Sequence, residues 1–123
     1  MCFMMEEKLK DNMARIEKKN KEIQKLCEQK KKKKVEAYKL KIKAMADYER
    51  ALKKNDFLGM KKTEEMCLKV KKLKLEAKKI CLKGLILAVE LKKFKIEHTE
   101  WMTEWEEKLM KLKYSKMKGK ASK

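Results

Sequence analysis

The 123-residue chain contains no proline, only three glycines and two serines, and a single histidine. Turns and active-site loops are built mainly from Gly, Pro, Asn, Asp and Ser, so the sequence offers little material for either. It contains no phosphate-binding loop, nucleophile motif or catalytic triad. The composition disfavours sheet proteins, Rossmann-like enzymes and disulfide-stapled modules. It predicts a protein that is not an enzyme and that has no catalytic residue and no cofactor.

Long apolar runs and paired cysteines are also missing. The longest apolar run, residues 85–89, is far short of the roughly 20 residues that span a bilayer. Neither a signal peptide nor a CxxC pair is present. Cys67 and Cys81 are two heptads apart, about 21 Å along a helix, so they cannot share a metal ion. We therefore expect no metal site, no transmembrane segment and an intracellular protein, cytoplasmic or nuclear, with reduced thiols.

Lysine dominates the composition. The chain has 37 basic and 19 acidic residues, a net charge of +18, and only Arg15 and Arg50 are arginines. Such a field attracts nucleic acid, anionic lipid or acidic proteins. Because lysine lacks the planar fork of arginine, we expect contacts to a polyanion backbone without sequence preference. The predicted polyanion-binding residues are Lys30, Lys31, Lys32, Lys33, Lys34, Lys71, Lys72, Lys78 and Lys79.

The second half of the chain carries a heptad pattern of apolar residues. Twelve positions follow each other at alternating steps of three and four, which is typical of a coiled-coil seam. They are Met66, Val70, Leu73, Ala77, Ile80, Gly84, Leu87, Leu91, Phe94, His98, Trp101 and Trp105. The phase does not change at Gly84, so we expect one helix rather than two. We also expect the two tryptophans to pack in the seam, against Met13 and Ile16, rather than to bind a partner.

The first half predicts a weaker seam. It begins with Leu9, Met13, Ile16, Asn20, Ile23 and Cys27. Five consecutive lysines at 30–34, here called the lysine run, then interrupt it. It resumes in another phase at Val35, Tyr38, Ile42, Met45 and Leu52, which predicts a stutter in the supercoil. Asn20 then occupies a seam position, where it either fixes the register or lies at a frayed edge.

A polar break separates the two halves. The segment Lys53-Lys54-Asn55-Asp56 resembles a helix C-terminus, and Thr63 followed by two glutamates resembles a helix start. We predict a single all-α domain, a long antiparallel helical hairpin with coiled-coil-like packing. Its helices are expected at about 5–54 and 62–117, with a turn at 55–61 and a basic tail at 118–123. A compact three- or four-helix bundle is the alternative.

The second predicted helix is apolar on two faces. One partner helix covers only one stripe, so the opposite face should bind a second copy or another protein. A compact three-helix monomer that uses both faces internally is the alternative. The predicted interface consists of Leu75, Leu82, Leu85, Ile86, Val89 and Ile96.

These patterns predict a coiled-coil interaction or assembly protein with a lysine-rich face for an anionic partner. The alternatives are a sequence-independent nucleic-acid or ribonucleoprotein-binding protein and an anionic-membrane-binding hairpin. The stretch 40–52, with Tyr48-Glu49-Arg50-Ala51-Leu52, resembles part of the core hairpin of the ESCRT-III membrane-remodelling proteins over about a tenth of the chain. That resemblance implies membrane binding.

Overall fold

Two long helices make up nearly all of the computed structural model, which describes the backbone of residues 2–121 and the side chains of residues 4–119. Helix α1 spans Cys2–Lys53 and helix α2 spans Phe57–Ala121, and the two pack against each other as a hairpin. No strand occurs within residues 2–121. The predicted all-α hairpin is confirmed. The alternative of a three- or four-helix bundle is wrong because α2 is continuous through Gly84, and only one turn interrupts the described helices.

The turn between the helices is short because one helix cap leads directly into the next. Asn55 adopts the left-handed conformation, with φ of 52°. The Asn55 amide donates to the Leu52 carbonyl at 3.3 Å, and the Asp56 amide donates to the Ala51 carbonyl at 2.9 Å. This is the Schellman arrangement at a helix C-terminus. The Asp56 carboxylate then accepts a hydrogen bond from the Gly59 amide at 3.0 Å and caps the start of α2.

The predicted start of the second helix is therefore wrong by five residues. Thr63 does not cap a helix but lies inside α2, where it is buried, and its hydroxyl donates to the Met60 carbonyl at 2.6 Å. The expected turn at 55–61 shrinks to residues 54–56. At the ends, the helices extend beyond the predicted 5 and 117. Of the predicted basic tail, Ser122 and Lys123 lie outside the described residues.

Contacts between the helices group the chain into two compact units. The turn unit is Asn20–Ala88, and the terminal unit combines Met1–Lys19 with Val89–Lys123. In the turn unit the interior consists of small side chains. Its fully buried residues are Ala37, Ala44, Ala51, Thr63, Val70 and Ala77. Small side chains at the most deeply buried positions allow two helix backbones to approach closely.

The buried side of α1 includes the predicted Ile16 and Ile23 but otherwise follows a different register from the predicted one. From Asn12 onward, the interior or half-buried positions of α1 continue at steps of three and four without a stutter, straight through the five consecutive lysines, and Met5 lies seven residues before Asn12. They are Met5, Asn12, Ile16, Lys19, Ile23, Leu26, Lys30, Lys33, Ala37, Leu40, Ala44, Asp47 and Ala51. The predicted seam residues Asn20 and Cys27 are exposed instead. The prediction failed because it ranked positions by hydrophobicity, whereas this seam accepts alanine and lysine.

All twelve seam positions predicted for α2 are buried or half-buried. In the terminal unit, Leu91 is buried and Phe94 is half-buried beneath the Arg15 guanidinium, which lies 4.5 Å from the ring centre. Lys8 covers Trp101 at 4.6 Å. The tryptophans were expected to pack against Met13 and Ile16, whereas the small pocket that they line is shared with Met5 and Leu9 of α1.

Candidate functional site

The second apolar face of α2 is exposed in both units. In the turn unit the side chains of Leu68, Leu75 and Leu82 recur every seven residues and are all more than half exposed. Leu85 and Ile86 follow with similar exposure. None of these side chains is buried between α1 and α2.

The terminal unit continues the same spacing on α2. Val89 and Ile96 are 68% and 52% exposed, although both are strongly apolar. All six residues predicted as an interface are therefore at the surface. Each of them is more than half exposed, and whether a partner covers them remains a prediction.

Helix α1 carries an outward apolar stripe of its own, which the sequence reasoning assigned to the seam. Val35, Tyr38, Ile42, Met45 and Leu52 are all exposed, at steps of three, four, three and seven. Heptad-like spacing is the pattern that another helix recognises. The sequence signal was present, but it marks a surface stripe and not the contact between α1 and α2.

The two helices of the turn unit form a groove between these surfaces, here called the apolar groove. It has a volume of about 670 Å³. The apolar part of its lining comes from Ala44, Met45, Tyr48, Cys67 and Leu68. Met45 and Leu68 are more than 60% exposed, and Cys67 is a free thiol. The groove thus presents large, adaptable apolar side chains to the solvent.

The structure separates the five lysines of the run into two groups. Lys30 and Lys33 are half-buried at the seam. The Lys30 ammonium donates to the Cys81 Sγ at 3.4 Å, and Lys33 forms an ion pair with Glu76 at 3.2 Å. These two were predicted to bind a polyanion together with their neighbours. They lie between the helices because the three- and four-residue spacing of the α1 seam continues through residues 30–34 and includes positions 30 and 33.

The other predicted polyanion-binding lysines are exposed. They are Lys31, Lys32, Lys34, Lys71, Lys72, Lys78 and Lys79. Lys34 and Lys78 lie in one groove of the turn unit, here called the lysine groove. Its other basic lining residues are Lys30, which was predicted, and Lys41 and Lys74, which were not. Sequence reasoning missed them because they come together only in the observed pairing of α1 with α2.

An aromatic and polar cluster occupies the seam of the terminal unit. Asn12 is buried and its amide donates to the His98 Nδ1 at 2.9 Å. The His98 ring is tilted by 32° against Trp101, with 5.7 Å between centroids. Trp101 and Trp105 are half-buried and, together with Leu9, line a small pocket of about 160 Å³. These contacts give both tryptophans a packing role inside the hairpin.

Within the described residues, no three His, Cys, Asp or Glu side chains come together in a way that could hold a metal ion. Neither helix has a segment both long and apolar enough to cross a membrane. No protein-family model, curated protein or solved structure matches this chain. The geometry thus presents two features for function, the outward apolar surfaces and the lysine groove.

Proposed function

We propose that this chain is a non-enzymatic helical-hairpin interaction protein. Its outward apolar surfaces bind a helix of a second copy of the hairpin. Its lysines bind an anionic partner. The observation that carries the proposal is the heptad-like spacing of exposed apolar residues on both helices of the turn unit. Val35, Tyr38 and Ile42 represent it on α1, and Leu68 and Leu75 represent it on α2.

The energetic argument starts from the cost of leaving these side chains in water. Burying a leucine or a valine that is otherwise exposed contributes roughly 1.5–3 kcal/mol. Monomeric proteins rarely expose a large contiguous apolar patch, and such patches commonly mark interaction sites. A helix laid in the apolar groove would cover Met45, Cys67 and Leu68 without disturbing the alanine interior beneath them.

Charge makes the proposed self-association dependent on salt. A chain with a net charge of +18 repels its own copies. At physiological ionic strength the screening length is about 8 Å, and it falls to about 3 Å at 1 M. Added salt should therefore promote assembly through the apolar surfaces, whereas it should weaken any complex held by the lysines.

The test compares the wild type with two triple variants by light scattering. The first variant carries Leu68→Gln, Leu75→Gln and Leu82→Gln. Its control carries Lys43→Gln, Lys69→Gln and Lys83→Gln, which change exposed residues elsewhere on the same unit. We expect the mass of the wild type and of the control to rise with salt, while the leucine variant stays monomeric and helical. A wild type that remains monomeric at all salt and protein concentrations would contradict the proposed self-association.

Nucleic-acid binding, alone or in a ribonucleoprotein, is the second candidate, and the exposed lysines favour it. Lys31, Lys32 and Lys34 point outward, whereas Lys30 and Lys33 are held at the seam. Replacing the three outward lysines by Gln should therefore weaken RNA binding and flatten its salt dependence nearly as much as replacing all five. An anionic membrane is the remaining alternative, and vesicle sedimentation of the same variants tests it.

A further inference from the structure

The lysine groove of the turn unit has an unusual lining. Nine residues line it, and five of them are lysines, whereas none is acidic. The lysines are Lys30, Lys34, Lys41, Lys74 and Lys78, and the other lining residues are Ala37, Tyr38, Ala77 and Cys81. The groove has a volume of about 440 Å³, within the roughly 300–1,000 Å³ that is common for small-molecule sites.

No carboxylate lines this groove to balance the charge of its lysines. No carboxylate there forms an ion pair with any of the five lysines, and the nearby Glu76 is paired with Lys33 instead. The Lys30 ammonium donates to the Cys81 Sγ, and a thiol is only a weak acceptor. Like charges brought to one groove repel each other, so a bound anion would relieve the repulsion as well as gain its own attraction.

The shape and the lining of the groove point to a compact ligand. Ala37 and Ala77 are almost completely buried and form a floor of small side chains, above which the longer lysine side chains can converge. A strand of nucleic acid is usually held by a track of cations with several stacking aromatic rings. This groove has a single aromatic ring, Tyr38, and a volume suited to a small molecule rather than to a strand.

A phosphate group brings more charge than a carboxylate, about −1.5 to −2 near neutral pH, together with three acceptor oxygens. Lysine is a point charge with three donors and binds phosphate without the fixed geometry of arginine. Five ammonium groups therefore match a small scaffold that carries several phosphates.

We propose that the lysine groove binds a compact, multiply phosphorylated anion, either a free polyphosphorylated ring or the headgroup of a phosphorylated lipid. This proposal rests on the anionic-partner half of the proposed function and names its site and ligand class. It does not depend on self-association, because the groove lies within one hairpin.

The experiment titrates the full chain with inositol hexakisphosphate by calorimetry at physiological ionic strength. The groove variant carries Lys34→Gln, Lys41→Gln and Lys78→Gln. The control variant carries Lys43→Gln, Lys69→Gln and Lys83→Gln, which remove the same charge from exposed positions outside the groove. Far-UV circular dichroism verifies that both variants remain helical.

We expect saturable one-to-one binding by the wild type, at least a tenfold loss of affinity in the groove variant and less than a threefold loss in the control. Equal losses in both variants would overturn the proposal, because they would show attraction to net charge alone. Absence of saturable binding by the wild type would overturn it as well.

Two further arms separate the sources of the ligand. Vesicles containing phosphatidylinositol bisphosphate are compared with phosphatidylserine vesicles of equal surface charge, and groove-dependent preference for the former supports a lipid headgroup. If the groove lysines are needed for binding inositol hexakisphosphate but give no preference between the two kinds of vesicle, the ligand is a soluble one. If single-stranded RNA binds through the groove lysines and the inositol phosphate does not compete, the compact-anion proposal is wrong. The mass measurements of the leucine variant report separately on self-association.

Discussion

Replacing leucine by alanine should lower the free energy of unfolding strongly at one position of α2 and hardly at all at another. The Leu91 side chain is 5% exposed in the seam, whereas Leu82 is 60% exposed on the outward face. Truncation of a buried leucine typically costs about 2–5 kcal/mol. The terminal unit has only two helices around the site and can partly close the gap, so we expect about 2–3 kcal/mol for Leu91→Ala. Surface substitutions usually change the free energy of unfolding by less than about 0.5 kcal/mol, which is our expectation for Leu82→Ala.

The assay is urea unfolding followed by far-UV circular dichroism, in dilute protein at low salt. These conditions keep self-association from contributing, so each free energy of unfolding belongs to the hairpin alone. Equal losses for the two variants, or a larger loss for Leu82→Ala, would refute the assignment of buried and outward faces. At high salt and high protein concentration, Leu82→Ala should in turn weaken assembly more than Leu91→Ala does.

Three further predictions concern the turn and the seam. Asn55→Val should cost about 1–2 kcal/mol relative to Asn55→Gly in the same urea assay, because Asn55 has a φ of 52° and a β-branched residue resists that conformation. Gly84→Ala should stabilise α2 by about 1 kcal/mol, since an added Cβ meets nothing within 4 Å. Gly59→Ala should fail to do so, because its Cβ would lie 2.6 Å from the Asp56 carboxylate that caps α2 and 3.1 Å from the Ala51 Cβ. Asn12→Leu or His98→Leu alone should cost about 1–3 kcal/mol by leaving a polar partner unpaired, and a double-mutant cycle should show the double variant losing less than the sum.

The seam of α2 could be predicted because apolar side chains mark nearly all of its positions. The seam of α1 was predicted correctly only at Ile16 and Ile23. Beyond them its interior contains Lys33, Ala37 and Ala44, while larger apolar residues lie outside. Hydrophobicity ranks valine and isoleucine above alanine, but the observed packing of α1 on α2 buries the smaller side chains. Two stripes of similar hydrophobicity run along α1. The sequence alone does not show which of them packs against α2.

The turn and the lysine groove show two other limits of the sequence. Asp56 and Thr63 are both suitable N-caps for α2. Because Asn55 adopts the left-handed conformation and terminates α1, Asp56 is in place to cap α2. The lysine groove joins α1 residues such as Lys41 to α2 residues such as Lys74. Its composition therefore depends on the pairing between the helices, and an error in the expected turn position displaces every predicted cross-helix contact.

The most direct test of the outward interface uses Cys67, an exposed free thiol in the lining of the apolar groove. A variant with Cys67 as its single cysteine is labelled with a maleimide, first as a dilute monomer and then under assembling conditions. The control places a single cysteine on the surface outside the groove by Lys43→Cys, with Cys67→Ser, and corrects for the effect of salt on the reaction. We predict that assembly slows the labelling of Cys67 at least tenfold and leaves the control unchanged. Unchanged labelling of Cys67 in protein whose mass shows assembly would contradict the proposed interface.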